Sequence, residues 1–120
     1  MEKQVYNFSI AELVASFMIN NNTFFITNQQ LKKYFLLLKS KCKKKKNLTV
    51  YVDYSIKFFN DFKENYSDLF DIDNDIIKLK SGVTLDDLRS NILSYVPHYQ
   101  LILLFDALPN NATNYISKTI

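Results

Sequence analysis

Residues 70–80 read FDIDNDIIKLK, and this stretch decides the fold because two different structures compete for it. Its three aspartates alternate with other residues, as they do at the opening of a calcium-binding loop. Such a loop also needs a glycine at its sixth position and a glutamate at its twelfth, and this sequence places Ile76 and Gly82 there. The stretch therefore lacks the turn and the strongest ligand of a calcium site, and we predict no bound metal.

The apolar residues of the same stretch alternate as they do in the two strands of a β-hairpin, here over residues 69–80. Asn74 and Asp75 suit a two-residue turn because Asn and Asp tolerate a left-handed backbone. A shift of one residue in the pairing would lose every favourable cross-strand pair, so the sequence predicts a single register for the hairpin. The matched pairs are Phe70 with Leu79, Asp71 with Lys78, and Ile72 with Ile77.

Capping patterns outside the hairpin predict where the helices begin. Three sites carry a Ser or Thr followed three residues later by an acid or amide, each flanked by a hydrophobic pair: Ser9 with Glu12, Thr27 with Gln30, and Thr84 with Asp87. Asp53 or Ser55 is the predicted cap of a further helix. With the spacing of the apolar residues, these signals predict about five helices, over about 9–20, 27–41, 56–66, 84–97 and 99–108.

A short strand is predicted between the second and third helices, because the stretch 48–52 is β-branched and aromatic. Helices that pack on a small antiparallel sheet, built around the hairpin, make a mainly helical α+β fold. With 120 residues and 48% hydrophobic content, the chain is long enough for one globular domain over residues 1–109. The polar tail 110–120 is expected to fray.

The order of these elements resembles a winged helix-turn-helix domain over about residues 9–80. The run from Ser55 to Ile72 (SIKFFNDFKENYSDLFDI), continuing into the second hairpin strand, is similar to the third helix and wing of that superfamily. LOTUS-type RNA-associated domains show a similar pattern. The resemblance implies that the short apolar stretch 24–26 pairs with the hairpin, which would be the wing. The connection over about residues 42–53 is longer than the tight turn of the standard motif.

The strongest functional indication is the separation of charge along a chain whose net charge is only +3. Residues 28–50 contain eight lysines and no acid, whereas residues 53–87 contain nine acids and four lysines. Clustered lysines neutralise phosphates, and tyrosines near them can stack on bases; Tyr34 and Tyr54 are candidates for such stacking. Alternatively, the lysines form a solvated helix end and the tyrosines fill the core. The predicted nucleic-acid-binding residues are Lys32, Lys33, Lys39, Lys41, Lys43, Lys44, Lys45, Lys46 and Tyr51.

The acids argue against ordinary sequence reading of DNA. In a winged helix the third helix enters the major groove, but here that helix carries Asp61 and Glu64, and the wing tip carries Asp73 and Asp75. The lysine-rich segment 39–46 is therefore the predicted contact, with low sequence specificity because lysine is a point charge. The first hypothesis is a non-catalytic nucleic-acid-binding or regulatory domain. The alternative is a protein-interaction module or self-associating adaptor that uses its basic and acidic surfaces.

Neither an enzyme nor a cofactor-binding protein is predicted. His98 is the only histidine, and no neighbouring motif orients it as a base. Cys42 is the only cysteine; its lysine neighbours favour a reactive thiolate, but no histidine lies near it in sequence. One glycine is too few for a phosphate-cradling loop. The single cysteine, the absence of a signal-peptide pattern and the short apolar runs predict an intracellular protein of the cytoplasm or nucleus, without a membrane segment.

Overall fold

The computed structural model of the 120-residue chain describes residues 5–46, 48–52 and 56–106. The fold is α+β and mainly helical, as the sequence predicts. A three-stranded antiparallel sheet has the order β2-β5-β4, and β1 and β3 form a separate parallel pair. A 3₁₀ turn (Leu93–Tyr95) follows α4. The elements are β1 (Val5–Phe8), α1 (Ile10–Asn21), β2 (Phe25–Thr27), α2 (Asn28–Lys46), β3 (Thr49–Val52), α3 (Ile56–Asn65), β4 (Phe70–Asp73), β5 (Ile76–Leu79), α4 (Leu85–Asn91) and α5 (His98–Asp106).

The hairpin has the predicted register, with β4 and β5 joined by the two-residue turn Asn74-Asp75. Asn74 has a φ of 53°, a positive value of the kind that two-residue hairpin turns need at their first position. The stretch 25–27 pairs antiparallel with β5, so the short apolar segment after α1 is the third strand of this sheet. All three predicted cross-strand pairs are present: Phe70 with Leu79, Asp71 with Lys78, and Ile72 with Ile77.

The helix α1 is the centre of the core. Its capping box forms as predicted: the Ser9 hydroxyl accepts a hydrogen bond from the Glu12 amide at 3.2 Å, and Glu12 Oε2 accepts one from the Ser9 amide at 3.3 Å. Asn22, with a φ of 50°, ends the helix in the left-handed conformation. Between these caps α1 packs against the other four helices, which explains why its side chains are buried on nearly every side.

The other two capping boxes also form. Thr27 Oγ1 accepts a hydrogen bond from the Gln30 amide at 3.1 Å, and Gln30 Oε1 accepts one from the Thr27 amide at 2.9 Å. Thr84 and Asp87 form the same reciprocal pair at 3.2 and 2.8 Å. These side chains satisfy amides that would otherwise lack a partner at the first turn of α2 and of α4.

Three features differ from the sequence-based expectation. The fourth helix, predicted over 84–97, ends at Asn91, and a 3₁₀ turn occupies Leu93–Tyr95 before Pro97. The strand β1 was not predicted, and it pairs in parallel with β3, whose position was predicted. The helix α2 continues to Lys46, about five residues beyond the expected end. Lysine is a good helix former and is favourable near a helix C-terminus, so the lysine-rich stretch extends the helix instead of forming a connection. The proposed caps Asp53 and Ser55 and the tail 110–120 lie outside the described residues.

Candidate nucleic-acid interface

The exposed side of α2 carries three lysines in a row along the helix axis. Lys32, Lys39 and Lys43 are separated by seven and four residues, so they lie on one face of a helix with 3.6 residues per turn. We call these three residues the lysine stripe. At a rise of about 1.5 Å per residue, its ends are about 16 Å apart. All three side chains are exposed, and Leu36, 60% exposed, lies between them.

The opposite side of α2 explains why the stripe faces outward. Leu31, Tyr34, Leu38 and Cys42 are each at most 4% exposed and form the apolar side that packs into the core. Their spacing of three to four residues continues the helical repeat as far as Cys42. Cys42 is therefore a core residue, and this burial argues against its role as a reactive thiol.

The remaining predicted lysines surround the stripe unevenly. Lys33 and Lys44 are exposed on the adjoining side of the helix, whereas Lys41 is half-buried on a different side. Lys45 and Lys46 belong to the last turn of α2, and their side chains lie outside the described part of the structure. The structure thus brings five of the eight predicted lysines onto one broad exposed surface.

The exposed lysines of this surface form no ion pairs within the described residues. The helix α2 contains no acidic residue. Among the residues that the structure describes, no acidic side chain forms an ion pair with the exposed lysines of α2. Lys39 Nζ lies 6.0 Å from the centre of the Phe35 ring, at the outer limit of a cation–π contact. Unpaired like charges on one helix create a positive potential that attracts anions.

The tyrosines do not join this surface in the way that base stacking would require. Tyr34 is completely buried, so its predicted stacking role is wrong and the alternative, a tyrosine that fills the core, is correct. Tyr54 lies outside the described residues. Tyr51 is 53% exposed on β3, where it lines a cleft together with Glu12 and Asp61. Its nearest charged neighbours in that cleft are therefore acidic.

The acidic side chains that the structure describes lie on elements other than α2. Asp61 and Glu64 are exposed on α3, the third helix of the winged-helix resemblance. Asp73 and Asp75 are exposed at the tip of the hairpin. Phosphates that approached either element would meet charge of the wrong sign, whereas the side chains of α2 itself carry only positive charge. The hairpin tip does reach the beginning of α2, where Asp75 accepts a hydrogen bond from the Asn28 side chain at 3.4 Å and lines a cavity with Lys32 and Lys33.

Leu36 is the member of this surface that the sequence analysis missed. Its exposure could have been predicted from the sequence, because a rotation of 100° per residue places Leu36 about 160° around the helix from Leu38, away from the apolar side. The sequence signal is a leucine that lies outside the apolar face of its own helix. Its exposure gives the lysine stripe an apolar centre.

No protein-family model, curated protein or solved structure matches the chain. Two absences hold for the part of the chain that the structure describes. None of its helices combines the length and the apolar character needed to cross a bilayer. No three side chains of the metal-ligating types His, Cys, Asp and Glu come together there.

Proposed function

We propose that this protein is a non-catalytic nucleic-acid-binding domain that contacts the phosphates of RNA or DNA through the exposed face of α2. The observation that carries the proposal is the lysine stripe: three exposed lysines in line on a helix that contains no acid, without an acidic partner in the part of the chain that the structure describes. Such an arrangement binds a polyanion because each phosphate contact releases a condensed counterion.

The spacing of the lysine stripe suits a phosphate backbone. Lys32 and Lys39 are about 10 Å apart along the helix axis, and Lys39 and Lys43 about 6 Å. One strand of a duplex carries a charge about every 3.4 Å along its axis, so the 16 Å stripe spans about five phosphates of a strand. Each lysine can therefore contact a different phosphate. Flexible lysine stems tolerate variation in the phosphate positions.

Low sequence specificity is part of the proposal. Lysine presents a point charge, whereas reading a guanine edge relies on the fork of an arginine. The chain has a single arginine, Arg89, on α4. Leu36 adds an apolar contact to a sugar or base face without selecting one base. The resulting complex would be strongly dependent on salt and weakly dependent on sequence.

The proposal keeps the winged-helix resemblance but changes the element that contacts nucleic acid. The pairing of β2 with the hairpin and the sheet order β2-β5-β4 support a domain of winged-helix type. The acids on α3 and at the hairpin tip make those elements unsuitable for the phosphate contacts that such domains use. We therefore assign the contact to the second helix of the motif, α2.

The test compares two triple variants that lose the same charge. The first, Lys32→Gln/Lys39→Gln/Lys43→Gln, removes the lysine stripe while glutamine preserves helix propensity. The control removes three exposed lysines from other elements: Lys57→Gln/Lys63→Gln/Lys78→Gln. Fluorescence anisotropy with labelled 20-nucleotide single strands and duplexes of mixed sequence, each over a series of salt concentrations, gives the affinity and its salt dependence.

Loss of the stripe should weaken binding and reduce the slope of log K against log salt by about 0.9 per lost contact on a duplex and about 0.7 on a single strand. The control variant should keep most of the slope. Equal losses in both variants would show that net charge alone drives binding, and the proposal would then fail. Absence of salt-dependent binding by the unmodified protein would also refute it.

A protein partner is the second candidate, and the exposed acids on α3 and at the hairpin tip favour it. A second copy could place its lysine stripe against these acids. The same variants distinguish this case in sedimentation velocity. The unmodified protein would then self-associate at low salt, the stripe variant would not, and neither would bind oligonucleotide. Such a result would show that the lysine stripe is a protein interface and not a nucleic-acid interface.

A further inference from the structure

A cleft of about 570 Å³ lies on a part of the surface that the nucleic-acid proposal does not use. It opens where the beginning of α1 meets β3 and α3. Its volume lies within the range typical of small-ligand sites, about 300–1,000 Å³. The lining residues are Asn7, Phe8, Ser9, Ile10, Ala11, Glu12, Tyr51, Asp61, Phe62, Asn65 and Tyr66.

The charge of the cleft is of one sign. Glu12 and Asp61 line it from α1 and α3, and none of the described lining residues is a lysine or arginine. Lys63, also on α3, extends over the ring of Phe59 with its ammonium 5.1 Å from the ring centre. A positively charged group that entered the cleft would therefore meet two carboxylates and, among the described residues, no competing cation.

Glu12 is held in place and is partly removed from water. Its Oε2 atom accepts the hydrogen bond from the Ser9 amide, which fixes the side chain at the beginning of α1. Burial raises the pKa of Glu12 above its ordinary value, although hydrogen bonds from the backbone and side chain of Ser9 oppose the shift. A carboxylate that is short of water gains more from a cationic partner than an exposed one does.

Aromatic rings form part of the walls. Tyr51 is 53% exposed, and Tyr66 is half-buried with its ring centre 5.6 Å from that of Phe62. Burial and the negative charge of Glu12 both raise the pKa of Tyr66, so the carboxylate of Glu12 acts on that ring. The faces of tyrosine rings attract cations, and the attraction strengthens where water is excluded.

The floor of the cleft is apolar. Phe8, Ile10 and Phe62 line the cleft and are each only 4% exposed, so they belong both to its lining and to the hydrophobic core. A ligand with an aliphatic stem would cover this floor, while its charged end would reach the carboxylates. Polar groups at the mouth and apolar groups at the base are the usual arrangement of a specific small-ligand site.

We propose that this cleft binds a guanidinium or ammonium group carried on an alkyl stem. The chemistry fits the side chain of an arginine or lysine in a peptide, and it also fits a free alkyl cation. The proposal does not depend on the nucleic-acid interface, because the lysine stripe is absent from the lining of the cleft.

The test uses ligands that differ only in charge. N-acetyl-L-arginine N-methylamide represents a peptide side chain, its citrulline analogue is a neutral isostere, and butylguanidinium represents a free alkyl cation. Titrations followed by ¹H–¹⁵N correlation spectra locate the site and give the affinity. The arginine derivative should shift amide resonances of the lining residues and bind about tenfold more tightly than the citrulline derivative, because a charged hydrogen bond is much stronger than a neutral one.

Two variants test the carboxylates separately. Glu12→Gln removes one charge and keeps an acceptor for the Ser9 amide, since glutamine also completes a capping box. Asp61→Asn removes the other charge at an exposed position outside the capping box. Each should weaken binding of the arginine derivative severalfold. Glu64→Gln is the matched control, because Glu64 is exposed on the same helix and does not line the cleft.

The outcomes separate the sources of the ligand. Binding of both cations supports a site for a peptide side chain, and binding of butylguanidinium alone supports a site for a free alkyl cation. Equal affinity for the arginine and citrulline derivatives, or an equal loss in Glu64→Gln, would overturn the proposal. The lysine-stripe variant should bind the arginine derivative normally, so failure of this proposal can be distinguished from failure of the nucleic-acid proposal.

Discussion

The buried hydroxyl of Tyr34 offers the sharpest test of the core, because it connects three helices. Tyr34 Oη donates a hydrogen bond to the carbonyl of Leu104 on α5 at 2.9 Å and lies 2.8 Å from Ser16 Oγ on α1. Ser16 and Leu104 are completely buried, as is Tyr34 itself. The substitution Tyr34→Phe keeps the ring and removes the one atom that these contacts share.

The expected cost follows from the groups that lose a partner. Because Tyr34 Oη donates to the Leu104 carbonyl, Ser16 Oγ is the donor in its contact with Tyr34 Oη. In Tyr34→Phe the Leu104 carbonyl loses its hydrogen bond in a site that excludes water, whereas the Ser16 hydroxyl can donate instead to the Leu13 carbonyl at 3.1 Å. A buried acceptor without a partner costs about 1–3 kcal/mol. With a urea m-value of about 1.5 kcal/mol/M, the unfolding midpoint should fall by about 0.7–2 M.

Urea unfolding followed by circular dichroism measures this change. Tyr95→Phe is the matched control, because Tyr95 is 83% exposed and the same substitution there should change the free energy of unfolding by less than about 0.5 kcal/mol. Ser16→Ala in both backgrounds should show a coupling with Tyr34→Phe of at least about 0.5 kcal/mol, since the two hydroxyls are bonded. Equal effects at Tyr34 and Tyr95, or strict additivity with Ser16→Ala, would refute this account of the core.

Two further substitutions test local features by urea unfolding. Asn74 has a φ of 53°, so Asn74→Val should destabilise the protein by about 1–3 kcal/mol relative to Asn74→Gly; equal stability of the two would contradict the turn geometry. For Glu12, the raised pKa means that its contribution to stability is complete below the ordinary value of 4.5 and is lost as the pH rises through the folded-state value. The free energy of unfolding of Glu12→Gln, relative to that of the unmodified protein, should therefore rise between pH 4 and pH 7. If the difference between the two free energies does not change with pH, burial does not penalise the charge of Glu12.

The features that were predictable from sequence are those set by neighbouring residues. The hairpin register follows from alternation within eleven residues and from an asparagine that accepts the left-handed turn. The three capping boxes are determined by residues three positions apart, and each forms the expected reciprocal hydrogen bonds. Local sequence is sufficient for such features because the interacting groups come together as soon as the first turn of the helix or hairpin forms.

Two of the unpredicted features, the strand β1 and the cleft, depend on contacts between distant residues. The strand β1 pairs with β3 more than forty residues away, and its four residues have no turn or partner nearby that would reveal it. The cleft is equally non-local, since Glu12, Tyr51 and Asp61 come from three separate elements. Glu12 was correctly predicted as a capping residue, but its partial burial beside Tyr66 depends on how α3 packs, which sequence spacing does not show.

The helix dipole gives some lysines of α2, but not others, a structural reason for their position. The last turn of a helix is favourable for positive charge, and the effect fades within that turn. Lys43 and the lysines after it therefore have a structural reason to be where they are, whether or not a ligand binds. Lys32, in the second turn, and Lys39, in the middle of the helix, have no such benefit, and neither is paired with an acid among the described residues. These two residues carry the functional argument. If nucleic acid binds α2, Lys32→Gln/Lys39→Gln should lower affinity while leaving stability nearly unchanged, whereas a variant at Lys43 should lower both.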